Sequence, residues 1–204
     1  VVMVLFGISF GLGSGTTSIV ARAIGSGRDE TVRRITSDSL VLSFLVVLVV
    51  AGLGMLTINP LFTALGATAD VLPLIRRYML IWYPGVVFLV VPMVATAAIR
   101  ATGDTRLPAL MMIGATGFNI LLDPLLIFGL WGLPRLGLEG AAIATVIARA
   151  TTFFAALYLL HFRVHLLDFH PPKLGDVWSS WKQVGSIALP ATATNLFLPI
   201  ALGT

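Results

Sequence analysis

The sequence contains no cysteine, so it holds no disulfide framework, thiolate metal site or cysteine nucleophile, and the redox compartment stays open. Charge is also scarce: 11% of the residues are Asp, Glu, Lys or Arg, against about 25% in soluble domains. A net charge of +4 would suit a nucleic-acid partner only if the cations clustered on one solvated face. They lie instead in the loops between apolar runs, which argues against nucleic acid. The apolar run opening at Val1 lacks the basic start of a secretory leader, and another runs from Gln183 to Thr204. The expectation is a piece of a longer membrane protein.

What the chain has in abundance is apolar surface, with 57% hydrophobic residues. Uncharged stretches run from Val1 to Ala21, Ser39 to Ala69, Tyr78 to Ile99, Leu107 to Leu122, Ala150 to Leu160 and Gln183 to Thr204. Several are long enough to cross a bilayer core of about 30 Å as helices. The pattern predicts helices over 1–24, 38–58, 75–99, 107–130, 140–162 and 184–204, an all-α polytopic transmembrane bundle. Basic residues set its orientation. Arg22, Arg28, Arg33, Arg34, Arg100, Arg106, Arg163, Lys173 and Lys182 mark one side as cytoplasmic, against Arg76, Arg77 and Arg135 on the other, and Arg149 is left inside a span.

Most remaining motifs read as punctuation or packing. Gly25 and Gly27 close the first helix, Ser37 and Asp38 can cap the second, Asn59-Pro60 ends it, and Gly103 and Asp104 make a turn before Pro108 restarts the chain. His170-Pro171-Pro172 breaks a helix, after which Leu174, Val177, Trp178 and Trp181 recur on one face, as in an amphipathic helix lying in the inner interface. Gly7, Gly11 and Gly15 form a small-residue face for a close helix neighbour, as do Gly140, Ala144 and Ala148. The string GLGSGTTS, Gly11 to Ser18, has neither the Lys nor the preceding strand of a phosphate loop. His161 and His165, with Asp168 following, lack the Glu of a zinc protease, so no metal site is expected. Tyr78, Trp82, Tyr83 and Trp131 fit an outer aromatic belt.

Asp123 stands apart, in a run otherwise uncharged from Leu107 to Pro134. A carboxylate well inside a spanning helix costs at least about 2.5–3.5 kcal/mol, so it must face protein or a water-filled cavity. Asn119 shares its face one turn earlier, and Pro124 removes a backbone hydrogen bond beside it, allowing a helix kink. At about 1.5 Å per residue, Asp123 lies roughly 10 Å below the outer end of its helix and Thr145 roughly 8 Å below the outer end of the next. Asn119, Asp123 and Thr145 can therefore meet. Arg149, at roughly 14 Å, is a second possible partner. A buried carboxyl without a cation can carry protons near neutral pH, whereas one paired with Arg stays ionised. Both readings stand: a proton or cation site, or a static ion pair.

Three stretches resemble one family, the multidrug and toxic compound extrusion (MATE) transporters: GLGSGTTSIVARAIGSGRDE (11–30), ATAAIRATGDTRLP (95–108), and NILLDPLLIFG with LGLEGAAIATVIA (119–129 and 136–148). The resemblance implies a transporter of two six-helix lobes. Residues 1–162 would be helices 2 to 6 of the amino-terminal lobe, whose first helix is missing, 163–183 the cytoplasmic inter-lobe linker, and 184–204 the truncated first helix of the second lobe. It implies a multi-pass protein of the cell membrane that exports cationic or amphipathic drugs in exchange for protons or sodium, without another cofactor. The family's lobe site maps onto Asn119, Asp123 and Thr145. Its acidic residue on the first helix precedes Val1, and Thr96 stands where many members have Asn. A lipid-linked precursor flippase of the same superfamily is the second reading, but it calls for several cavity cations, and Arg149 is the single candidate. An intramembrane enzyme would need paired catalytic groups, which these spans do not contain; a passive channel or structural subunit is the reading of another class.

Overall fold

The computed structural model describes residues 2–68, 70–129, 137–168 and 174–202. Trp131, Arg135, the His170-Pro171-Pro172 break and Lys173 lie outside them. The described residues form helices α1 (Val2–Gly25), α2 (Asp29–Leu56), α3 (Ile58–Ala64), α4 (Leu72–Gly85), α5 (Val87–Ala101), α6 (Arg106–Phe128), α7 (Gly137–Tyr158) and α8 (Leu174–Leu202), with a π-helical turn at Leu159–Arg163. Five stretches are long and apolar enough to cross a membrane: Val4–Gly25, Asp29–Leu56, Leu72–Ala101, Arg106–Phe128 and Glu139–Arg163. Helices are what a bilayer core demands, because every backbone N–H and C=O must be satisfied within its own segment.

The loops bear out part of the expected punctuation. Beyond Gly25, the Gly27 backbone turns left-handed at φ +69° while Arg28 N–H donates to the Ala23 carbonyl, closing α1. Gly103, at φ +87°, reverses the chain, and the Asp104 carboxylate accepts from the Arg106 and Leu107 amides at 2.9 and 3.1 Å to cap α6.

Elsewhere local chemistry moved the boundaries. α2 starts at Asp29, not at 38, because Asp29 and Glu30 complement the positive helix start better than Ser37 and Asp38. The pair expected to cap the helix lies inside it. Asn59-Pro60 does not end the structure either: α2 stops at Leu56 and Pro60 sits in the first turn of α3, where its missing N–H costs nothing. The helix expected over 75–99 is interrupted at Val86, two residues after Pro84 leaves the Leu80 carbonyl without its helical donor; Val86 N–H bonds to Tyr83 instead. α8 begins ten residues before the expected 184, so the Trp178–Trp181 segment is the first part of that helix and not a separate interfacial one.

The chain divides into two units. The first comprises Val1–Leu45, Val90–Leu110 and Phe154–Thr204; the second, Val46–Leu89 and Met111–Phe153. In the first, α1 packs lengthwise on α8. A Cβ on Gly11 would collide with the Thr192 hydroxyl and lie 2.6 Å from the Ala188 carbonyl, and one on Gly15 would lie 2.8 Å from the Val184 carbonyl. The small-residue face is thus a packing face for α8, while Gly13 meets Ala97 of α5. In the second unit, α4 and α7 run side by side: Arg77 pairs with Glu139 at 3.8 Å, Val146 fills the space over Gly85, and Phe88 meets Phe153 edge-on at 5.3 Å. Gly140, Ala144 and Ala148 are all buried there, which permits the approach.

Gly11→Ala is expected to destabilise the full-length protein by about 1–3 kcal/mol through overpacking against α8, read as a lower unfolding midpoint in detergent. Gly114→Ala on α6, where a Cβ meets nothing within 4 Å, should not. Equal midpoints would show that α8 does not need the glycine face.

Candidate functional site

The apolar run around Asp123 folds as α6, which continues through Pro124 without interruption and buries only Pro108 among its residues. Asp123 is half-buried; its Oδ1 is shut off from solvent and has no hydrogen-bond partner. An oxygen in that state has lost its water without recovering the interaction energy.

The structure places Asn119, Asp123, Thr145 and Arg149 in the second unit, and Thr96 in the first. It does not join the first three by hydrogen bonds. Asn119 is half-buried one turn before Asp123, and the Thr145 hydroxyl donates back to the Ala141 carbonyl of its own helix at 2.9 Å. Thr96 likewise donates to Met93 at 3.0 Å. Among the described residues no ion pair links Asp123 to Arg149, so the static pair is not formed. The Arg149 guanidinium lies instead over the Trp82 ring, 5.8 Å from its centroid.

Three features escaped the sequence reading. Trp82 and Tyr83, expected in an outer aromatic belt, are buried within the second unit, 4% and 1% exposed, and meet edge-on at 5.8 Å. Their ring lengths suited a belt, but Gly54 leaves a slot that the Tyr83 ring fills. The Tyr83 hydroxyl is buried without a partner. Asp38 is also buried, inside α2, with Oδ2 unpartnered; the Asp29-Glu30 pair was the signal that a cap lay earlier. Its backbone carbonyl accepts the Trp181 indole N–H at 3.0 Å, and Arg34, one turn earlier, reaches Asp176 at 3.1 Å, so two polar ties fasten the start of α8 to α2.

His161 and His165 do not share a helical face. His161 sits in the π turn, edge-on to Phe162 at 4.4 Å, whereas His165 is exposed at φ +53°. His165 helps line a cavity of about 280 Å³ in the first unit with Asp29, Arg33 and Thr102. Every one of those four polar residues is exposed, which describes a wet surface recess and not a closed site.

Five helices long and apolar enough to cross a membrane, one of them carrying a carboxyl with a buried oxygen, define a class: a multi-pass membrane protein. The MatE family model matches residues 1–125, and the chain belongs to that family. It is 38% identical over 201 residues to a protein of Shewanella oneidensis named "FAD transporter", covering 98% of this chain and 44% of that one. It is 31% identical over 165 residues to the Bacillus subtilis "Probable multidrug resistance protein YoeA", covering 81% of this chain and 36% of that one. In structure it matches the Vibrio cholerae MATE transporter VcmN in the bent form with a TM-score of 0.89 at 30% identity, covering 97% of this chain and 44% of that one. The chain thus spans less than half the length of these relatives, as one lobe and the start of a second would.

Trp181→Phe, which keeps the ring and removes the bond to Asp38, should destabilise the full-length protein by about 1 kcal/mol. Trp178→Phe, at a position 61% exposed, serves as the reference and should leave the midpoint unchanged. A drop of equal size in both would mean that the indole bond contributes nothing.

Proposed function

We propose that the chain belongs to a secondary active antiporter that exports cationic or amphipathic ring-bearing compounds in exchange for an inward-moving ion, with Asp123 as the ion-coupling group. The observation that carries this is the buried, partnerless Oδ1 within a spanning helix. A proton needs a single oxygen, whereas sodium needs several converging ones. Since Asp123 is hydrogen-bonded to neither Asn119 nor Thr145, whose hydroxyl turns back to Ala141, the oxygens are not gathered around one point and the reading favours the proton. Neutralising Asp123 removes the charge that holds a cation, so ion and substrate compete for one site. Alternating access then follows from two lobes rocking about the midplane, a general solution in transporters built from repeats.

A second reading concerns the substrate alone. The relative named for FAD transport shares 38% identity over 98% of this chain, compared with 31% over 81% for the multidrug relative. That supports a flavin dinucleotide as cargo.

The test uses the full-length protein in proteoliposomes: efflux of a fluorescent cationic dye under an imposed pH gradient. Wild type is expected to need the gradient, and Asp123→Asn to fall to the rate of protein-free liposomes while keeping its unfolding midpoint. Gradient-driven efflux retained in the mutant would move the coupling site elsewhere.

A further inference from the structure

Arg149 poses the complementary problem to Asp123. It lies ten residues beyond Glu139, the start of its span, hence about 15 Å into a core of about 30 Å. No described carboxylate pairs with it: the ion pairs of the described residues are Arg34–Asp176 and Arg77–Glu139. One face of the guanidinium rests over buried Trp82, and the Tyr78 hydroxyl is within electrostatic reach. The side chain is nevertheless only half-buried. At mid-depth that open portion cannot face lipid, because an unpaired cation there is too costly. It faces a polar route through the protein.

A cation–π contact fixes where the charge sits but leaves the fork of N–H donors unused. Those donors match the oxygens of a carboxylate or phosphate, which they bind bidentately. The Trp82 ring beneath them is buried and held edge-on by Tyr83, so the seat of the guanidinium is fixed without further ordering.

We propose that Arg149, seated on Trp82, is a recognition point for the acidic group of a substrate, a phosphate or carboxylate. This extends the transport reading above and rests on it for the existence of a cargo. It assigns Arg149 a substrate, whereas Asp123 is assigned the ion.

The experiment is equilibrium binding by the full-length protein in lipid nanodiscs, using FAD, which carries phosphates, and riboflavin, which shares its isoalloxazine without them, with adenosine as a control for the adenine half. Wild type should bind FAD at least about tenfold more tightly than riboflavin, the size expected for a charge-assisted contact. Arg149→Gln should abolish that difference while leaving riboflavin affinity and the unfolding midpoint unchanged, and Arg149→Lys should restore part of it. Trp82→Phe, which weakens the seat of the guanidinium, should reduce the FAD preference and leave riboflavin affinity unchanged. Asp123→Asn should retain FAD binding, so gradient-driven efflux retained in that variant, with FAD selectivity intact, would overturn the coupling role and not this one. Equal binding of FAD and riboflavin by wild type, or an unchanged FAD preference in Arg149→Gln, would overturn the proposal. A collapse of the Arg149→Gln and Arg149→Lys midpoints together would show instead that Arg149 pairs structurally with a carboxylate elsewhere in the full chain.

Discussion

An ionisable side chain within a spanning helix costs about 2.5–3.5 kcal/mol when charged even on the mildest insertion scales, and the second unit of this protein holds two that have no ion-pair partner among the described residues. Asp123 and Arg149 have opposite signs and stand on α6 and α7, yet no ion pair joins them. Had they met, each would have satisfied the other and neither would be available for a ligand. Their separation follows from local packing: Arg149 is taken by the Trp82 ring, and Trp82 is fixed by Tyr83 in the slot beside Gly54. The small residues of α7 bring that helix close enough to α4 for this to happen.

In the first unit the constraint is different. The glycine face of α1 receives α8, and Arg34 and Asp38 tie the start of α8 to α2. α8 is the segment that the family resemblance assigns to the opening of the second lobe. Backbone-to-backbone approach without side chains gives a contact that is tight but smooth, whereas the ionic and indole ties are short-ranged and directional.

On the proposed coupling role of Asp123, the charge of the cargo sets the demand placed on it. A cation leaving a cell that is negative inside moves against the potential, at about 2.3 kcal/mol per charge per 100 mV, and needs a coupling ion. An acid-bearing compound moves with it. The two substrate readings therefore make different demands on the same lobe, and they map onto the two unpaired charges.

Much of this was legible in the sequence. Low charge and long apolar runs fixed the all-helical membrane class, and an isolated carboxylate in such a run marked Asp123 before any coordinates. Helix starts were harder, because a charged stretch such as Arg28 to Arg34 looks like a loop although its first acids stabilise a helix. The aromatic pair Trp82-Tyr83 was misplaced because burial depends on a slot made by Gly54, twenty-eight and twenty-nine positions away, and nothing local announces it. Thr145 was expected to meet Asp123, but its hydroxyl had a nearer acceptor in Ala141, a competition common to Thr within helices.

The central claim is that substrate and proton exclude one another at Asp123. It is tested most directly by adding a cationic dye to the purified full-length protein in weakly buffered detergent and following proton release with a pH indicator. The account predicts release from wild type and none from Asp123→Asn under the same dye occupancy. Equal release from both proteins would contradict it.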